Sequence, residues 1–244
     1  MARLGHPARH LDRIDSTMTE AARWAEAGAP HGALVTAHHQ TAGRGRHGRT
    51  WQAATGDSLL CTLVLRPALA PSRLGLVALA AGLAAAEAVD GLGVAARIKW
   101  PNDVRVRGRK LAGVLAEARH PSSGPVVLLG LGLNVRQSAF PDGLAATSLR
   151  LETGRDLPPH SLLDPFLEAL AVHLAGLDAD PGRVIRSLES RLDLVGEAVT
   201  VRDPATGAGV ARGTVCGLAG DGGLRLATPA GDQTVYAGEV TLSP

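Results

Sequence analysis

Three arginines and three glycines crowd into the nine residues GRGRHGRTW (43–51), the densest chemical signal in this 244-residue chain. Arg44, Arg46 and Arg49 present forked donors suited to phosphate or carboxylate. Gly43, Gly45 and Gly48 let backbone approach a ligand closely. Guanidiniums this near to one another repel unless an anion sits among them, so the spacing predicts an anion-binding loop that is mobile when empty. The run also satisfies G-x-G-x-x-G. That fingerprint needs a helix to begin inside it, whereas Thr50, Trp51 and a strand follow here. No Walker-type G-x-x-x-x-G-K-[ST] occurs, which excludes P-loop nucleotide binding.

Lysine usage is the second signal. Of 25 basic residues 23 are arginine, and the two lysines, Lys99 and Lys110, share one 14-residue window, 97–110. A flexible point charge and a rigid fork are not interchangeable, so lysine kept there suggests a small cation that must reach a particular oxygen. Lys99 opens KWPND (99–103), where Pro101 pushes Trp100 toward extended geometry and ends a strand. Asn102 and Asp103 then stand at a strand edge, where polar heads can face a cleft. Lys110 opens RKLAGVLAE (109–117). Period-2 alternation sends Lys110, Ala112 and Val114 to one face and Leu111, Gly113 and Leu115 to the other. GLGLNV (130–135) ends an apolar strand on Asn134. The nine histidines form no metal-ligand spacing; His6/His10 and His38/His39 are the closest pairs.

The elements that must position these residues follow from periodicity and punctuation. STMTEAARWAEAG (16–28) reads as a helix capped by Ser16 or Thr17 and closed by Gly28. Strands are predicted at 33–39, 58–67, 96–100, 104–107, 111–118 and 125–135, with a turn at 121–124. Helices are predicted at 72–90, 160–178 and 181–192. From 196 to 242, short β-rich runs alternate with Gly, Asp and Pro turns, the pattern of a small β-barrel. The boundary falls near 193–196.

Composition bounds the rest. At 45% hydrophobic residues and mean hydropathy near zero, the chain can build a sizeable core. No apolar run reaches the roughly 18 residues of a membrane span, and 74–89 reads as a buried helix. No signal peptide is expected. Cys61 and Cys216 are far apart, which suggests free buried thiols in a reducing, cytoplasmic setting. A net charge of +2 does not by itself imply a nucleic-acid binder.

Taken in order, Ser16-Thr17, Gln40-Thr41-Ala42 leading into GRGRHGRTW, KWPND, KLAGVLAE, GLGLNV and a small C-terminal β-domain resemble the biotin–protein ligases over nearly the whole chain. The resemblance implies an α/β (α+β) catalytic domain related to class II aminoacyl-tRNA synthetases (1–193) and an SH3-like C-terminal domain (194–244). It implies two steps: biotin and ATP form biotinyl-AMP, then the biotin passes to a lysine of a biotin carboxyl carrier protein. Ser16, Thr17, Gln40, Gly43, Arg44, Arg46, Lys110, Gly113 and Gly132 would serve biotin. Arg46, Arg49, Trp51, Asn102, Lys110, Asn134 and Phe140 would serve ATP and the adenylate. Lys110 and Arg46 would stabilise charge on the phosphate, and Asp103 would orient magnesium or the incoming amine. ATP with Mg²⁺ is implied as substrate, without a tightly bound metal. Met18 stands where many relatives have asparagine. About fifteen residues precede Ser16, too few for the DNA-binding domain of repressor-type ligases, so no DNA partner and no membrane partner is expected; a homodimer through sheet edges is a family possibility. The alternatives are a lipoate or octanoate ligase or transferase of the same superfamily and, in a different class, an RNA-binding module. The latter predicts exposed aromatics, and two of the three tryptophans lie inside the motifs.

Overall fold

A seven-stranded sheet and a five-stranded sheet frame the molecule, here a computed structural model that describes residues 3–66, 74–121 and 124–243. The expected helix start at 72–73, the strand end at 67 and the middle of the 121–124 turn lie outside these residues. In chain order the first part comprises β1 (Ala8–Ile14), α1 (Thr17–Glu26), β2 (Ala33–Gln40), β3 (Ser58–Leu65), α2 (Leu74–Ala88), β4 (Arg97–Lys99), β5 (Asp103–Val106), β6 (Arg109–Arg119), β7 (Val126–Asn134), α3 (Leu149–Thr153), α4 (Leu163–Ala179) and α5 (Pro181–Ser190). The large sheet runs β1-β2-β3-β7-β6-β5-β4. Only its β1–β2 pair is parallel. The second part comprises β8 (Ala198–Arg202), β9 (Gly209–Leu218), β10 (Leu224–Thr228), β11 (Gly231–Val235) and β12 (Glu239–Leu242). It is antiparallel throughout, in the order β11-β10-β9-β8-β12.

Every residue of β3 and β7 is buried, because helices cover one sheet face while α1 and Trp51 of the 43–51 loop cover the other. Helix α2 lies on one face with α4 against it, and is apolar all round, as a helix enclosed on every side must be. Residues 75–92 are long and apolar enough by composition to cross a membrane, contrary to the expectation from run length, yet 61% of that window is buried inside the protein. On the opposite face α1 packs Met18, Ala21 and Ala25 on Val35, Val64 and Leu128. Ser16 caps α1 by accepting from the Met18 amide at 3.2 Å. Because α1 is only ten residues long, it shields one end of that face and leaves the Gly130–Asn134 end of β7 to a cavity.

Two elements escaped the sequence reading: β1, whose ARHLDRI shows no apolar alternation and is mostly exposed, and the five-residue α3. Of the two thiols expected to be buried, only Cys61 is; Cys216 is exposed on β9. Burial pushes the Cys61 thiol up to about 12.

Candidate active site

A single register row crosses five strands: Leu60, Gly132, Gly113, Asp103 and Lys99 are successive cross-strand partners on β3, β7, β6, β5 and β4. All five line one cavity of about 460 Å³. The row grades from apolar, through two glycines, to a carboxylate and an ammonium. The glycines matter because of what lies over them. A Cβ at Gly132 would stand 2.5 Å from Cε2 of Trp51, and one at Gly113 would stand 3.1 Å from the same ring and 3.0 Å from Lys110 Nζ. A side chain at Gly132 would therefore collide with the indole, and one at Gly113 would press on both the ring and the ammonium.

Lys110 reaches this floor through an irregularity. Strict alternation would have put it opposite Gly113. Instead the β5–β6 register shifts between Val104 and Arg105, so that Arg105 faces Lys110 while Val104 faces Ala112. Leu111 is the extra residue, and Leu111 and Ala112 are both buried in the helix-covered core. The slip turns Lys110 to the side of Gly113. There its ammonium meets Asp103 Oδ1 at 2.7 Å and lies 5.6 Å from the Trp51 ring centre.

The 43–51 loop closes on itself. Trp51 N donates to Gly43 O at 3.0 Å and Gly45 N to Arg49 O at 2.7 Å, making a narrow hairpin whose tip holds His47 at φ 55° and Gly48 at φ 73°. The protein itself supplies partners for the three guanidiniums. Arg44 meets Glu117 at 2.6 Å, Arg46 donates to Asn102 Oδ1 at 3.1 Å, and Arg49 forms a two-pronged pair with Glu239 of β12. Asn102 is itself anchored by donating to Val114 O at 2.9 Å. Burial lowers the Arg46 pKa, with Arg49 adding to the shift and Asp103 and Glu239 opposing it.

The second loop, 136–146, is fixed beside Lys110. The Lys110 amide donates to Ala145 O at 2.8 Å and Thr147 N to Lys110 O at 2.9 Å. Buried Asn134 holds the loop's far end, donating to Thr147 O at 3.0 Å and accepting from Gln137 Nε2 at 3.1 Å. Its amide is thus engaged within the protein. Phe140, Pro141 and Leu144 of this loop line the cavity.

Of the residues singled out from sequence, Thr17, Gln40, Arg44, Arg46, Arg49, Trp51, Asn102, Asp103, Lys110, Gly113, Gly132, Asn134 and Phe140 line the one cavity. Ser16 and Gly43 stand behind it: Ser16 caps α1, and a side chain at Gly43 would meet the Trp51 carbonyl. Thr17 and Gln40 are joined twice, from Thr17 N at 2.7 Å and Thr17 Oγ1 at 3.0 Å to Gln40 Oε1. Sequence reasoning passed over Gly130, which gives Met18 its seat (a Cβ there would stand 2.9 Å from the thioether sulfur), although Gly130, Gly132 and Asn134 share one face by period two. It also passed over Glu239, which no local pattern marks.

Residues 10–134 match the model of the biotin/lipoate A/B protein ligase family, and residues 194–243 match that of the biotin protein ligase C-terminal domain. This chain belongs to the biotin protein ligases. It is 38% identical over 242 residues to the biotin–[acetyl-CoA-carboxylase] ligase of Paracoccus denitrificans, covering 94% of this chain and 98% of that one. It is 30% identical over 246 residues to the bifunctional ligase/repressor of Bacillus subtilis, covering 98% of this chain and 75% of that protein. The biotin protein ligase of Aquifex aeolicus in complex with biotin and ATP superposes with a TM-score of 0.85 at 28% identity, over 98% of this chain and 99% of that one. The mixed α/β fold with an appended antiparallel β-domain is therefore that of the biotin protein ligases.

Proposed function

We propose that the chain activates biotin with ATP to biotinyl-5'-AMP and transfers the biotin to a lysine of a biotin carboxyl carrier protein. The observation that carries this reading is the meeting of the Gly/Arg hairpin and the Lys110 ammonium over one glycine floor. In the first step a biotin carboxylate oxygen bonds to the α-phosphorus and pyrophosphate leaves. In the second, an amine attacks the acyl carbon and AMP leaves. Both steps develop negative charge on phosphate oxygens, which fixed cations stabilise most.

The apolar end of the cavity, with Thr17, Gln40, Gly113 and Gly132, is assigned to biotin, with Ser16, Gly43 and Arg44 supporting it. The charged end, with Arg46, Arg49, Asn102 and Lys110, is assigned to the phosphates. Lys110 would bridge acyl oxygen and α-phosphate. Trp51 brings a buried indole N–H with no partner among the described residues, a donor that a ligand acceptor would satisfy. Trp51 and Phe140 are assigned to the adenine, and Asn134 to the loop beneath it. Magnesium would enter with ATP. Asp103 and Glu239 are carboxylates of the lining, each already paired with a cation, and no group of three metal-ligating side chains occurs among the described residues. Asp103 is assigned to orient magnesium or to receive the incoming amine once Lys110 turns to the phosphate. The catalytic part is taken as 1–193 and the C-terminal domain as 194–244. A cytoplasmic setting suits its free thiols.

Incubation of the protein with biotin, Mg-ATP and a carrier domain is expected to add one biotin to the carrier lysine, read by intact mass, and to add none without ATP. No addition by protein shown to be folded by circular dichroism would overturn the reading. Lipoate or octanoate in place of biotin is expected to give no transfer.

A further inference from the structure

The roles above employ Lys110 and leave the chain's other lysine idle. Lys99, at the end of β4, is half-buried and lines the same cavity. Arg46, Arg49 and Lys110 each rest on a partner, but Lys99 makes no side-chain hydrogen bond or ion pair among the described residues. Burial, and then Arg105, push its ammonium below the usual lysine value; Asp103, Glu239 and Asp193 oppose this from beyond contact distance. A desolvated cation facing a cavity without a contact partner is a seat for an anion.

Position says which anion. Lys110 Nζ lies over Gly113, whereas Lys99 stands two strands along the row with Asp103 between. At ~4.8 Å per strand the Gly113 and Lys99 backbones are about 10 Å apart. Two ammonium groups spread along the row on either side of Asp103 suit a chain of phosphates better than a single small anion. In the other direction from Lys110 the row runs to Gly132, covered by Trp51, and to Leu60, which offer little charge to phosphates. A triphosphate whose α-phosphate sits at Lys110 therefore extends toward Lys99, with Arg49 at the same charged end.

We propose that Lys99 binds the β- and γ-phosphates of ATP and accompanies pyrophosphate as it leaves, a second catalytic ammonium in adenylate formation. This rests on the ligase reading above. As the carboxylate oxygen bonds to the α-phosphorus, the bond from that phosphorus to the bridging oxygen breaks. Its electron pair departs with pyrophosphate, and Lys99 donates N–H to the charge that accumulates there. In the transfer step pyrophosphate is gone, so Lys99 has no part in it.

The two steps can be separated. Lys99→Met is expected to weaken inorganic pyrophosphate binding by about tenfold or more in calorimetry and to slow adenylate formation by about 10²-fold. Single-turnover transfer from purified biotinyl-adenylate to a carrier domain is expected to stay within about twofold of wild type, with Lys99→Arg recovering part of the lost pyrophosphate affinity. Unchanged pyrophosphate affinity overturns the proposal, as does a parallel fall in both steps. If Lys99→Met does not fold, Lys99→Gln is read in the same way. A wild-type protein that forms no adenylate would sink the ligase reading, while the pyrophosphate titration would still decide Lys99.

Discussion

Lys110 combines a long reach with weak structural ties, so its proposed catalytic role can be separated from stability. Its one strong contact is Asp103 at 2.7 Å, and the two side chains are 34% and 24% exposed. An ion pair so placed contributes at most about 1 kcal/mol. Removing a fixed cation from developing phosphate charge costs roughly 10²–10³ in rate. Lys110→Ala is therefore expected to slow adenylate formation by that factor in single-turnover assays. Its melting temperature should stay within about 4 °C of wild type. A loss of melting temperature well beyond that would make Lys110 a structural residue. The residue types behind this chemistry were legible in the sequence, because arginine bias made two lysines conspicuous. Which way Lys110 faces was not legible: the register slip at Leu111 depends on β5, and strand alternation alone gives the wrong side.

At the scale of elements, the Gly/Arg hairpin is tied to the rest of the protein mainly through carboxylates distant in sequence. Glu117 belongs to β6 and Glu239 to β12. Local sequence shows three arginines repelling one another; it cannot show which acids the fold will bring to them. The same blindness hid β1, whose parallel pairing with β2 is a property of the neighbour rather than of ARHLDRI. The Arg49–Glu239 pair is largely exposed, at 62% and 40%, so it is weak and exchangeable. On the proposed role of Arg49, a triphosphate takes it from Glu239. Glu239→Gln removes that competitor and is expected to tighten ATP binding by up to about fivefold, the equivalent of roughly 1 kcal/mol. Calorimetry of ATP binding reads this directly. Weaker binding would mean instead that Glu239 holds Arg49 ready for the nucleotide.

For the whole molecule, the composition shift near residue 194 suggests two parts, but the packing joins them. One hydrophobic cluster runs from Leu34 and Leu63 through α2 to Val199, Val201, Leu224 and Leu226 of the second sheet. The turn at 219–223 is the seam. Gly222 accepts from the buried Trp100 indole at 3.0 Å, and a Cβ at Gly222 would stand 2.9 Å from Leu76 Cδ2 and 3.2 Å from Leu79 Cδ1. Glu189 of α5 reinforces the seam by accepting from Leu218 N at 2.9 Å. Gly222 also holds φ at +90°, where a side chain is strained. Gly222→Ala therefore combines backbone strain with overpacking against α2, together about 1–3 kcal/mol. For a chain of this length each kcal/mol moves the midpoint by roughly 2–4 °C. The variant is expected to melt several degrees lower, and in one transition, because Trp100 transmits the disturbance into both sheets. Calorimetry that resolved a separate early transition for the C-terminal sheet would show instead that the shared core does not couple the two parts. The Lys99 ammonium and the Glu239 carboxylate would then face each other across a joint able to open.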